Sequence, residues 1–151
     1  MVALVLGLAA PILALADIVT PVGALTSDAG VLGAVTSLAG IALSVAAQRA
    51  MGASWRIGVD ADERTDLVTG GVFAHVRNPF FTATIAVAVG LVLMVPSVVA
   101  FPALAALIAA VELQVRVVEE PYLLGTQGDG YRAYAGRVGR LVPLVGRLRS
   151  G

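Results

Sequence analysis

Two short polar stretches hold most of the residues in this chain whose types and spacing could do chemistry. The first is Gly70-Gly71-Val72-Phe73-Ala74-His75-Val76-Arg77-Asn78-Pro79-Phe80-Phe81, with the only His of the sequence. Its sharpest part is Arg77-Asn78-Pro79. The residue before a proline avoids helix, Asn offers both donors and an acceptor, and Pro79 suits the first position of a following helix. A helix starting there points unpaired N–H groups at whatever binds, which favours a carboxylate or phosphate. The second stretch is Glu119-Glu120. Neighbouring helical side chains lie roughly 100° apart, so one carboxylate can face a pocket while the other faces solvent. Read as a helix end stopped by Pro121, they oppose the macrodipole, which calls for a cation: a ligand, Arg116 or Arg140.

Around these stand weaker candidates. Glu112 and Arg116 are four apart on one helical face and can pair; an ionisable residue inside a membrane span is a functional candidate by default. His75 could act as a general base, and an interfacial His without a catalytic role is the competing reading. Tyr131 and Tyr134 share a helical face, and with Arg140 they read by themselves as an interfacial aromatic and arginine anchor. The absence of Cys excludes thiolate metal sites and a lone His makes a poor one, so no metal is expected. No nucleotide-binding glycine loop, zinc-protease motif or Ser-His-Asp arrangement is present, and the arginines form no basic domain for nucleic acid.

The elements that must position these residues are apolar. Of 151 residues, 58% are hydrophobic and 13% charged, where a soluble domain is about a quarter charged. The composition therefore predicts an all-α, polytopic membrane helix bundle in one domain. Four stretches approach the about 20 residues that cross a bilayer: about 2–25, 31–47, 80–95 and 98–118. The first lacks a basic n-region and reads as a retained span. Gly33, Ser37, Gly40 and Ser44 give the second a small-residue stripe of the kind that lets membrane helices approach closely.

All ten basic residues are Arg, and none precedes Arg49 or falls between Asn78 and Val115. The positive-inside rule then makes 49–79 and 119–151 cytoplasmic, with both termini inside. The complete use of Arg over Lys, with abundant Ala, Val and Gly, points to a GC-rich bacterial genome, so the membrane expected is a bacterial inner or plasma membrane. The arginine-rich tail is expected to form a C-terminal amphipathic segment.

With these pieces in order, the chain resembles the integral-membrane methyltransferases related to isoprenylcysteine carboxyl methyltransferase and the phospholipid methyltransferases. Their hinge, L-V-T-x-G-x-Y-x-x-x-R-H-P-x-Y, stands here as Leu67-Val68-Thr69-Gly70-Gly71-Val72-Phe73-Ala74-His75-Val76-Arg77-Asn78-Pro79-Phe80-Phe81. Their second signature, E-E-x-x-L followed by Gly, Y-x-x-Y and V-x-R-x-x-P, stands as Glu119-Glu120-Pro121-Tyr122-Leu123, Gly128, Tyr131 with Tyr134, and Val138-Gly139-Arg140-Leu141-Val142-Pro143. The resemblance covers about residues 50–143.

It implies a cytoplasmic pocket for S-adenosylmethionine at the ends of the last spans. Leu67, Val68, Phe73, Asn78, Pro79, Phe80 and Phe81 would line it, and Glu119, with Glu120 as a second candidate, would bind the cofactor. The sulfonium suits a Glu, and the cofactor carboxylate suits an Arg or helix N–H groups, which adds Arg77, Tyr131 and Arg140 to the expected site. The expected function is S-adenosylmethionine-dependent methyl transfer to a lipophilic or small acceptor entering from the bilayer. His75 and Arg116 are the weak catalytic candidates. Three positions depart from the family pattern: Asn78 replaces His, and Phe73 and Phe81 replace Tyr. They support the alternative of a non-catalytic membrane binding or assembly protein that keeps the scaffold.

Overall fold

A computed structural model describes residues 27–52 and 67–148. The expected span at about 2–25, and residues 53–66 of the segment before the hinge, lie outside the described residues. The described chain is helical: α1 (Ser27–Met51), a 3₁₀ turn (Gly71–Ala74), α2 (Pro79–Met94), α3 (Ala100–Leu113), a π-helical segment (Gln114–Glu119) and α4 (Glu120–Arg137). Its one strand-like feature among the described residues is an isolated parallel bridge between Val76 and Gly139. These elements belong to two compact units. One takes in the chain to Ala42 with Ala83–Gln114, and the other Leu43–Thr82 with Val115–Gly151.

In the first unit α1 meets α2 through small residues. A Cβ at Gly33 would fall 2.5 Å from the Gly90 carbonyl oxygen, and one at Gly40 2.9 Å from that of Ala83. The Ser37 hydroxyl donates to the Val87 carbonyl at 3.4 Å. Three of the four stripe residues therefore let two backbones touch, which is how membrane helices gain dispersion contact without a hydrophobic drive. Gly90→Ala should lower stability by about 1–3 kcal/mol, because overpacked methyls must displace backbone. Thermal unfolding of the purified protein in detergent checks this, and an unchanged midpoint would mean that the helices do not approach so closely.

The opposite side of α1 exposes Val31, Leu32, Val35, Leu38 and Ile41. A helix apolar on the face it shows to its surroundings belongs in lipid rather than water. Two helical stretches, Ser27–Met51 and the 38-residue run Ala100–Arg137, are long and apolar enough to cross a membrane, and Pro79–Met94 is a shorter apolar helix. At about 1.5 Å per residue, its 16 residues make roughly 24 Å. Ser97 is fully buried and its hydroxyl accepts from the Ala100 N–H at 3.1 Å, satisfying one of the orphan donors at the start of α3.

Pro121 does not stop the helix, contrary to the sequence expectation. The chain widens into the π-helical turn Gln114–Glu119 and restarts as α4 with Pro121 in the first turn. A proline inside a helical run removes a donor and crowds the preceding turn, and the wider π-helical turn makes room for its ring. Glu120 consequently sits inside the continuous helical run Ala100–Arg137 and not at a helix end that would oppose its charge. α4 is kinked at Gly128, whose φ of 53° and ψ of −124° suit only glycine.

The second unit has its core where the tail folds back on the hinge. Tyr131, Tyr134, Ala135 and Val138 form a buried cluster, with Leu67, Leu123, Leu124 and Leu148 packed against it. The tyrosine rings meet edge to face, centroids 6.2 Å apart. They are core residues and not the interfacial anchor their sequence spacing also allows: the Tyr134 hydroxyl donates to the Phe73 carbonyl at 2.7 Å, so the ring can be buried without stranding its polar end. Burial pushes the Tyr134 phenol up to about 12, helped by Tyr131 and opposed by Arg77.

Candidate functional site

The hinge and the tail are held together first by backbone. The Arg77 N–H donates to the Gly139 carbonyl at 2.8 Å and the Asn78 N–H to the Arg140 carbonyl at 3.1 Å. The Asn78 side-chain amide donates to the same Arg140 oxygen at 3.2 Å. At the first turn of α2 the Thr82 hydroxyl lies 2.7 Å from the Leu141 carbonyl and 3.1 Å from that of Asn78. Pro79, fully buried, begins α2. Thr82→Val keeps the shape and removes this tie, so it should cost about 1 kcal/mol; denaturant unfolding checks it, and a neutral result would show the contact to be dispensable.

Side chains then lock the junction. Glu120 takes Arg140 in a two-pronged pair, with Nε at 2.8 Å from Oε1 and Nη2 at 3.0 Å from Oε2. Its Oε1 also lies 2.9 Å from Nη1 of Arg77, whose side chain is 1% exposed. Arg77 Nη1 donates to the Tyr131 hydroxyl at 3.1 Å and Nη2 to the Gly146 carbonyl at 2.6 Å, and its guanidinium lies 5.8 Å from the Tyr131 ring centroid. Burial raises the Tyr131 phenol above its ordinary value against the pull of Arg77. Two guanidiniums converge on the one Glu120 carboxylate, and the buried Arg77 Nε–H has no partner among the described residues. Both features suit an anionic oxygen.

Glu119 behaves differently from its neighbour. It is partly buried and makes no side-chain hydrogen bond or ion pair among the described residues. Burial first, and then the charge of Glu120, push its carboxyl up to about 7. A carboxylate held there without a counterion favours a cationic group, which would restore its charge.

Of the residues expected at the site, the structure thus joins Arg77, Asn78, Glu120, Tyr131 and Arg140 in one network. Phe73 and Leu67 belong to the core that carries it. Phe80 and Phe81 are half-buried in the first turn of α2 and meet edge to face, centroids 6.2 Å apart. Val68 is half-buried before the 3₁₀ turn. His75 is exposed on that turn and takes no part in the network, and Arg116 is exposed on the π-helical segment.

Sequence reasoning missed Gly146 and Thr82. Gly146 has φ 72°, and a Cβ there would press on Arg140 at 3.1 Å. The signal was a glycine three residues after Pro143, where a returning turn must close. For Thr82 it was a lone hydroxyl in the first turn of an apolar helix.

All-helical architecture, lipid-suited helix faces and a buried charge cluster at the root of α2 define a membrane protein with a polar site. The family model for phospholipid methyltransferases matches residues 29–128, two thirds of the chain. The chain belongs to the phospholipid methyltransferase family, and so to a class of membrane methyltransferases. No curated protein and no solved structure matches it. The matched segment contains the hinge and Glu119-Glu120 but ends before Tyr131 and Arg140, which the hydrogen bonds above tie back to it.

Proposed function

We propose that the chain catalyses S-adenosylmethionine-dependent methyl transfer to a lipophilic or small acceptor at the cytoplasmic face of a bacterial membrane, as a multi-pass protein with both termini inside. The observation that carries the reading is the pairing of opposite preferences on adjacent residues. Among the described residues Glu119 has no cationic partner, while beside it two arginines converge on Glu120 and the buried Arg77 Nε–H is unpaired. S-adenosylmethionine has a sulfonium and an ammonium for the first and a carboxylate for the second. When bound it supplies an electrophilic methyl group.

The protein's own part is placement. Glu119 would hold the cationic end, Arg77 and Arg140 the carboxylate, and Phe80 and Phe81 would keep water from the transfer path. Methyl transfer is an in-line displacement, so orientation and exclusion of water supply most of the rate. Glu120 acts through the arginines, fixing their guanidiniums.

The competing reading, a non-catalytic binding protein, is favoured by one specific observation. The Asn78 amide is spent on the Arg140 carbonyl, and the only His lies outside the network. An acceptor that must lose a proton then finds no imidazole there and only Glu119 as a carboxylate base, whereas a carboxylate acceptor needs none. Incubating the reconstituted protein with methyl-labelled S-adenosylmethionine and bilayer lipids separates the two. Label in the organic phase supports transfer; cofactor binding without any methylated product favours the competing reading.

A further inference from the structure

The loop Leu141–Gly146 closes the charge cluster and is firmly held. The Arg140 N–H donates to the Val145 carbonyl at 2.7 Å, the Val145 N–H to the Val142 carbonyl at 3.1 Å, and Arg77 to Gly146. It folds so tightly over Gly139 that a Cβ there would meet the Val142 carbonyl oxygen and lie 2.6 Å from the Leu144 nitrogen. Leu141 turns inward, yet Val142, Leu144 and Val145 stay 55%, 68% and 62% exposed. Leu144 also holds φ 68°, the single non-glycine residue with positive φ among the described residues. A left-handed position in water is ordinarily filled by Gly or Asn.

Three fixed aliphatics on one tight turn are costly in water and favourable in hydrocarbon. The loop is tied through Leu141 to Thr82 in the first turn of the apolar helix α2, at the level where that helix would enter a bilayer. The exposed Arg137 and Arg147 flank it, as headgroup phosphates require. We infer that Leu141–Gly146 is a membrane-inserted wedge, with Val142, Leu144 and Val145 among the upper acyl carbons of the leaflet and the neighbouring arginines at its phosphates. Seated lipid thereby bears on the backbone oxygens that hold Arg77 and Arg140. This inference does not depend on the methyl-transfer reading.

The chain has no Cys, so Val142→Cys, Leu144→Cys and Val145→Cys each give a single attachment point for a polarity-sensitive fluorophore. Arg132→Cys, on an exposed side chain, is the reference. In vesicles of phosphatidylglycerol and phosphatidylcholine, the three loop probes should emit to the blue of the reference. They should be quenched by lipids carrying a nitroxide near the headgroup and protected from aqueous iodide. Iodide quenching equal to that of the reference would overturn the inference. So would protection from both quenchers, which would place protein, such as a second copy, over the loop. Three separate positions keep the test valid if one label distorts the turn.

Discussion

Glu120→Ala is expected to destabilise the protein by about 3–5 kcal/mol, the usual consequence of removing one partner from a buried ion pair. Here one carboxylate pairs with two guanidiniums at once, and Arg77 is the more deeply buried of them, with its side chain 1% exposed. Arg140, at 13%, can turn toward solvent. The ordering should therefore be Glu120→Ala most severe, Arg77→Ala next, because Arg140 still neutralises Glu120, and Arg140→Ala mildest. Arg77→Ala also frees the Tyr131 hydroxyl and the Gly146 carbonyl, so its effect should exceed the about 1 kcal/mol of a single lost hydrogen bond. Urea unfolding of the three variants in detergent gives the order. A Glu120→Ala protein as stable as the parent would show that the cluster is not a structural lock.

The second expectation concerns pH. With its carboxyl pushed up to about 7, Glu119 is largely protonated in the free protein below neutrality. A cationic ligand binds the ionised form, so affinity should climb as pH rises toward 7 and level off above it. For a single group titrating at about 7, the ionised fraction changes roughly 25-fold between pH 5.5 and 7.5, and affinity should follow. The sulfonium charge is permanent and an α-ammonium loses its proton only above neutrality, so the Glu119 carboxyl is the partner that titrates below it. Glu119→Gln should bind weakly and without this slope.

Stability should run the other way. A carboxyl whose folded value lies above its unfolded 4.5 contributes stability that is complete below 4.5 and lost as pH rises through about 7. Glu119→Gln should then be more stable than the parent at pH 8 while binding less, the exchange expected of a residue kept for function rather than fold. A parent protein whose stability is flat across that range would contradict the assignment.

The sequence shows some parts of this arrangement plainly and hides others for physical reasons. The small residues of α1 could be read because close helix approach needs them at fixed spacing, and three of the four do meet α2. The hinge and Glu119-Glu120 could be read as a resemblance, since both signatures stand in order. What spacing could not show was the division of labour between the two glutamates. Roughly 100° of helical rotation decides which faces the arginines, and the π-helical turn before Pro121 sets that rotation through long-range packing. Tyr131 and Tyr134 were ambiguous for a similar reason. An aromatic pair on a helical face serves an interface or a core equally well, and only the Phe73 carbonyl, 61 residues away, decides for the core. His75 drew attention as the single His of the sequence, but it is exposed and lies outside the network.

Calorimetric titration of S-adenosylmethionine and S-adenosylhomocysteine into the reconstituted protein at pH 7.5, beside Glu119→Gln, shows whether the cofactor binds and whether Glu119 meets it. Saturable binding of S-adenosylmethionine by the parent is expected, with an affinity at least roughly tenfold lower for the variant, the loss of one charge-assisted contact worth about 1.5–3 kcal/mol. Absence of binding by either ligand would contradict the cofactor, and equal affinities in parent and variant would remove Glu119 from the site.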